Sequence, residues 1–358
     1  MGERHHRLHP FSRSKRRLDG MKKWFVPLLS LMAALALFMT FSIFFEQNTA
    51  EMPELEKPIR IIMKSQQRKP MDFWEVATRG IVEAAREYGL QYEISGPDFE
   101  KEIDLQIEIV NRIIEERPPM ILLAATDYKR LVPSVERASE LGIPVITFDS
   151  RVDSTIPISF IATDNIEAGE KAGAELKRLI AVHDRKEIAI VSHIKETATA
   201  IDREAGVRKA LEGETIIGTW FIDVEQEKAY RITLELLENE NLGGIVALNE
   251  AAALGVGDAI QEKGAEERVL VVGFDNAIKE LAYLEAGVFE ALVVQRPYNM
   301  GYLTVKSAAE FLLGKSIPVF IDTGSILITR ENMFSREYQE LLFPVQNIVH
   351  PDEIQHSP

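Results

Sequence analysis

Six short stretches of this sequence carry side chains that could grip a small polar molecule: Ala125-Thr126-Asp127, Asp149-Ser150, Thr163-Asp164-Asn165, Asn249-Glu250, Asp275-Asn276 and Gln295-Arg296. Each follows a short aliphatic or β-branched run. Carboxylates and amides dominate, and such planar groups suit vicinal hydroxyls, which both donate and accept hydrogen bonds. Any one stretch also has a structural explanation, because Asp, Asn, Ser and Thr after a strand cap the next helix. Their repetition at one kind of position points to a ligand. The chemistry of an enzyme is missing: there is no G-x-x-x-x-G-K-[ST], no H-E-x-x-H and no G-x-S-x-G, and Gly255-Val256-Gly257 is a lone G-x-G in a helical pattern. The chain has no cysteine and only seven histidines, of which His5, His6 and His9 lie in its basic leader. No catalytic residue, metal site or cofactor is expected, and the protein reads as a binder.

The elements that must position these residues follow from periodicity. Strand-like runs fall at 59–63, 91–95, 120–124, 145–148, 159–162, 188–192, 216–222, 244–248, 269–274 and 291–294. Helical patterns lie between most of them, such as 73–88, 103–116, 166–183, 200–211, 226–238, 251–263 and 300–313. Alternation of this kind marks βαβ units and parallel sheets. Ten strands approach the practical limit of one twisted open sheet, so two sheets in two lobes fit the 358 residues better. Ligands of open parallel sheets bind beyond the carboxyl ends of the strands, where the six stretches stand.

Charge and hydropathy set the compartment. The formal charge of −15 disfavours nucleic acid, whose phosphates require a basic face. Residues 1–23 nevertheless carry a local charge of +6. They precede 22 uncharged residues, 24–45, long enough to cross a bilayer as a helix. Acidic residues follow, from Glu46 to Glu56. The positive-inside rule then places 1–23 in the cytoplasm and everything after the span outside. Asn48-Thr49-Ala50 is a poor signal-cleavage site and the apolar run exceeds a signal core, so an uncleaved single-pass anchor is expected. Met21 is an alternative start.

Six segments in order, FWEVATRGIVEAAREYG (73–89), GIPVITFDS (142–150), FIATDNIEAGEKAG (160–173), IVALNEAAALGVGDAI (245–260), VLVVGFDN (269–276) and VVQRPYNMG (293–301), resemble the ribose-binding-protein family. These are type I periplasmic binding proteins, whose fold also forms the effector domain of lactose-repressor-like regulators. The resemblance spans roughly residues 57–330. It implies an α/β fold of two Rossmann-like lobes, each a parallel sheet flanked by helices, joined by a three-crossing hinge. Lobe 1 would comprise 57–162 plus 296–324 and lobe 2 163–295 plus 325–343, after a linker at 46–56 and before a tail at 344–358. A repressor is excluded because the apolar run occupies the place of a DNA-binding head.

The resemblance also implies a ligand site. The sugar-sandwiching aromatics fall on Phe73 and Trp74, the two hydroxyl-binding carboxylates on Asp149 and Asp275, the second-lobe arginine on Arg203, and the amide pair on Asn249 and Gln295. Departures surround them. A ribose-contacting asparagine becomes Met71 with Asp72 beside it, another becomes Ala124, the arginine after the first carboxylate becomes Ser150, and the second-lobe aromatic falls near Val224. The expected ligand-binding set is Asp72, Phe73, Trp74, Asp149, Ser150, Arg203, Asn249, Asp275 and Gln295, with a pentose, hexose or related polyol as ligand. The expected partner of an anchored receptor is a membrane histidine kinase. The alternative is delivery of the sugar to an ABC permease.

Overall fold

The computed structural model describes residues 52–67, 72–182 and 186–342. In chain order the elements are β1 (Ile59–Ile62), α1 (Phe73–Tyr88), β2 (Tyr92–Ser95), α2 (Ile103–Glu115), β3 (Ile121–Leu123), α3 (Val132–Glu140), β4 (Val145–Phe148) and β5 (Ser159–Ala162). There follow α4 (Asn165–Ile180), β6 (Glu187–Ser192), α5 (Ala198–Ala210), β7 (Thr215–Phe221), α6 (Gln226–Leu236), β8 (Leu242–Ala247), α7 (Glu250–Lys263), β9 (Leu270–Phe274), α8 (Ile278–Ala286) and β10 (Ala291–Gln295). The last are α9 (Pro297–Leu312), β11 (Phe320–Asp322), β12 (Ser325–Thr329) and α10 (Arg336–Leu342).

The strands form two six-stranded sheets, ordered β11-β5-β4-β3-β1-β2 and β12-β10-β9-β8-β6-β7. The first is parallel throughout, and in the second only β12 runs antiparallel, against β10. Helices cover both faces, so the central strands are buried on both sides and read as continuous apolar runs. Leu122 of β3 packs in one core of the first lobe while Ile121 and Leu123 pack in the other. Ile245 and Val246 of β8 divide in the same way between the two cores of the second lobe. The chain passes between the sheets three times: after β5, between β10 and α9, and between β11 and β12. The two α/β lobes expected from the alternation are therefore present.

Two strands escaped the sequence reading. β11 has three residues and both of its ends are exposed, so it carries no hydrophobic alternation, and pairing with β5 alone makes it a strand. β12 is half-buried along most of its length and gains its place from β10. Helix α4 begins at Asn165, because Asp164 caps it through the Glu167 amide. No helix among the described residues is long and apolar enough to cross a membrane. The span expected at 24–45 lies outside those residues.

Helix pairs inside each lobe meet backbone to backbone. A Cβ on Gly301 of α9 would lie 2.0 Å from the Ala77 carbonyl oxygen of α1, and one on Gly80 would lie 2.1 Å from the Tyr298 carbonyl oxygen. The pair can accept a methyl group only by separating. Gly301→Ala is expected to cost at least about 2–3 kcal/mol in urea unfolding, the upper part of the range for overpacking. A loss below 0.5 kcal/mol would mean that the two helices part easily.

Candidate functional site

The ends of β4 and β9 turn through conformations that side chains usually avoid. Asp149 has φ +57° and Asp275 has φ +80°. Such left-handed positions cost about 1–3 kcal/mol each and persist where surroundings hold them. Here the side chains are held. Lys64, which directly follows the strand-like run of β1, places its Nζ 2.7 Å from Asp149 Oδ2, and both side chains are almost fully buried. Asp275 Oδ1 accepts from Gln295 Nε2 at 2.7 Å, and Oδ2 accepts from the Glu250 amide at 3.1 Å, at the positive end of α7. Burial nevertheless raises the Asp275 pKa, against the opposing pull of Arg203 and these two donors.

Arg203 enters from α5. Its Nε donates to Asn165 Oδ1 and its Nη1 to the Leu248 carbonyl, both at 2.8 Å, and the guanidinium lies 4.7 Å from the Phe274 ring centroid. Burial lowers its pKa, while Asp275, Asp149 and Glu100 favour its charged form. Close by, His193 shares its Nε2 with Thr199 and Thr197, whose hydroxyls lie at 2.9 and 3.1 Å. Burial, then Arg203 and Lys64, hold its pKa well below the ordinary imidazole range. Two buried atoms in this wall have no hydrogen-bond partner among the described residues, Gln295 Oε1 and His193 Nδ1.

Phe73 and Trp74 meet edge to face at 5.0 Å. Trp74 also belongs to the first-lobe core, and its indole Nε1 donates to Glu100 Oε1 at 2.9 Å. Burial raises the Glu100 pKa, opposed by Lys64 and by the indole bond. Asp72 caps α1 through the Glu75 amide, and Asn249 caps α7 through the Ala252 amide. The caps use a side-chain oxygen of each residue.

These residues line one cavity of about 360 Å³ between the lobes, at the small end of the range for ligand pockets. Of the nine side chains expected at the site, Asp72, Phe73, Trp74, Asp149, Arg203, Asn249, Asp275 and Gln295 line it. Ser150 does not. The turn at Asp149 leaves Ser150 fully buried, its amide donating back to the Phe148 carbonyl and its own carbonyl accepting from Ala125. Lys64, Glu100 and His193 line the cavity but were not anticipated. Lys64 and His193 were findable, since each stands just past the end of a strand run, as the expected residues do. Glu100 sits on a loop without a pattern of its own.

Beyond the cavity wall lies a further carboxyl. Glu280 is fully buried, with Oε2 accepting from the Ala277 amide at 2.7 Å and Oε1 without a hydrogen-bond partner among the described residues. Burial, then the charges of Glu250 and Asp275, push its pKa well above 4.5.

Comparison with known proteins places these features in context. Residues 63–316 match the periplasmic binding protein domain family. The chain is 29% identical over 280 residues to a D-ribose/D-allose-binding protein of Pseudomonas aeruginosa, covering 75% of this chain and 85% of that one. A carbohydrate transporter solute binding protein from Agrobacterium radiobacter, solved with D-arabinose, superposes with a TM-score of 0.75 at 27% identity. That match covers 81% of this chain and 99% of the other. A sugar transporter structure from Clostridium phytofermentans aligns at 34% identity and a TM-score of 0.71, over 76% of this chain and 99% of that one.

The buried carboxyls carry a pH signature. A carboxyl whose pKa rises on folding stabilises the fold most below its unfolded value, and that stability is lost as pH climbs through the folded value. For Glu280 the loss therefore begins above about 4.5. Glu280→Gln, a neutral replacement of the same shape, is expected to raise the melting temperature at slightly alkaline pH, with the gain shrinking as the pH approaches 5. Thermal unfolding across that range checks it, and a lower melting temperature at alkaline pH would show that the carboxylate is stabilised as an anion.

Proposed function

The chain belongs to the periplasmic binding protein family, and from that premise we propose that it is an extracytoplasmic receptor whose two lobes close on a monosaccharide. One observation carries the reading. Both lobes contribute buried charged or amide side chains to the same small cavity, Lys64 and Asp149 from one and Arg203, Asp275 and Gln295 from the other, beside the Phe73–Trp74 pair. Carboxylates and a guanidinium in a dry site bind hydroxyls by charge-assisted hydrogen bonds, roughly twice as strong as neutral ones. The weakly apolar C–H face of a sugar ring suits an aromatic wall. The three chain crossings act as the hinge, with lobe 1 taken as 57–162 plus 296–324 and lobe 2 as 163–295 plus 325–343.

Delivery to an ABC-type permease is the downstream role we favour, because the similar structures include a carbohydrate transporter solute binding protein and a sugar transporter. A second reading has its own support. The uncharged run at 24–45 and the lack of any cysteine for a lipid anchor suit a receptor tethered beside a membrane histidine kinase. Mass spectrometry of the mature N-terminus in the membrane fraction bears on this choice. Retention of 24–45 supports a tethered receptor, and a chain that begins near Glu51 removes the ground for the kinase reading.

Calorimetry and melting shifts with D-ribose, D-allose and D-arabinose test the site itself. At least one is expected to stabilise the protein at millimolar concentration, since a ligand of the native state must do so. Arg203→Ala and Asp275→Ala are each expected to weaken that sugar by about 2–4 kcal/mol, because a buried charge loses its partner. Asp127→Ala is expected to leave affinity unchanged. Its carboxylate accepts from the Lys129 and Arg130 amides, away from the cavity. Indifference to every pentose and hexose would reject the sugar class.

A further inference from the structure

Asn165 stands three residues past the end of β5, where the chain first crosses between the lobes, and it opens α4. The residue is 5% exposed, and its side chain uses both ends. Nδ2 donates to the Thr163 carbonyl at 3.0 Å, and Oδ1 accepts from Arg203 Nε at 2.8 Å. Capping does not explain this, because Asp164 already caps the helix. Thr163 in turn belongs to a cluster that joins the first and third crossings. Its hydroxyl lies 3.5 Å from that of Thr323, and Asp322 Oδ1 accepts from the amides of Asp164 at 2.9 Å and Gly324 at 2.8 Å.

The backbones on either side of this amide cannot drift apart unnoticed. A Cβ on Gly169 of α4 would lie 2.2 Å from the Arg203 carbonyl oxygen, and one on Gly206 of α5 would lie 2.1 Å from the Ile166 carbonyl oxygen. The helix that begins at Asn165 and the helix that carries Arg203 are therefore in direct backbone contact. A change in backbone angles at Thr163 moves the carbonyl that Asn165 holds. The arginine feels that change through the same side chain.

We propose that Asn165 is a positioning residue that couples the first hinge crossing to Arg203, so that the guanidinium is aimed into the cavity only when the hinge is in its closed geometry. This rests on the reading of Arg203 as a sugar contact. Without Asn165 the guanidinium keeps its bond to the Leu248 carbonyl but loses the acceptor on Nε, and it is free to turn toward Asp275 and Asp149.

Three measurements on the full-length chain in detergent test the coupling. For whichever of D-ribose, D-allose and D-arabinose stabilises the wild type, Asn165→Ala is expected to weaken binding about tenfold or more, the loss of one hydrogen bond to a charged group. The double variant with Arg203→Ala is expected to bind no more weakly than Arg203→Ala alone. Unchanged affinity in Asn165→Ala, or additive losses in the double variant, would overturn the proposal. Asn165→Asp separates the two ends, since it keeps an acceptor for Arg203 but sets an oxygen against the Thr163 carbonyl. With no native cysteine to interfere, spin labels on one introduced cysteine per lobe are expected to report a more open distance distribution for this variant. A wild-type distribution would count against the hinge half of the link. The Nε–H resonance of Arg203 in arginine-labelled protein needs no ligand. It is expected to stand apart from the exposed arginines in the wild type and to collapse among them in Asn165→Ala, and persistence would remove the arginine half. Should no sugar bind the wild type, the sugar reading falls while this resonance still decides whether Asn165 holds the arginine.

Discussion

Charge buried between two lobes is the constraint on which the rest of this structure depends. Lys64, Asp149, Arg203 and Asp275 are each at most 8% exposed. An uncompensated ion at such a site costs several kcal/mol. The leading compensation lies within each lobe, with a smaller share from Asp149 and Glu100 to Arg203 across the cleft. Lys64 answers Asp149 in the first lobe, and Asp275 is the leading charge on Arg203 in the second. Either lobe can therefore part from the other without leaving a lone ion behind. What closure adds is desolvation, and a ligand that brings hydroxyls to the same groups offsets that loss hydrogen bond by hydrogen bond.

Backbone strain is gathered at the same place. Among the described residues the non-glycine positions with positive φ are Arg117, Asp149, Asp223, Val224 and Asp275, and all but Arg117 line the cavity. A strand running straight into its helix would carry these side chains past the cleft. At Asp149 and Asp275 the left-handed turn redirects the chain directly after a buried strand, beside the cavity. Strain here is part of how the site is preorganised.

Much of this was legible in the sequence, for a physical reason. Strands such as β4 and β8, buried on every residue, are apolar but for Thr147, so polar residues at their ends stand out. That contrast points to Asp149, Asn249, Asp275 and Gln295, which line the cavity, and Lys64 and His193 stand in the same relation to β1 and β6. Arg203 and the Phe73–Trp74 pair came from family resemblance, because a charge or an aromatic at a helix start has no local signature of function. Glu100 was hidden because its importance arises from Trp74 and Lys64, which are distant in the chain. Ser150 was misplaced because a one-residue turn, invisible in composition, redirects the chain at Asp149. The short β11 and half-exposed β12 were hidden because only partner strands make them strands.

The rim of the cleft explains why a ligand can control closure at all. Among the described residues three contacts join the lobes there: Lys101 to Glu225 at 2.8 Å, the ion pair of Arg151 with Asp202, and the Tyr128 amide to the Glu196 carbonyl at 2.8 Å. Lys101 and Glu225 are about half exposed, and exposed pairs contribute about 0–1 kcal/mol each. Together these contacts hold the lobes closed by a few kcal/mol at most, against the cost of drying the cavity walls. Turning a mostly open population into a mostly closed one takes about 5.5 kcal/mol of preferential binding. Hydrogen bonds to charged groups contribute about 1.5–3 kcal/mol each, so on the proposed reading a small polar ligand touching Asp149, Arg203 and Asp275 would supply that difference and the rim would not. On that reading a partner that senses closure would contact the rim, where the two lobes come together, while the energy that favours closure would come from the carboxylates beneath it.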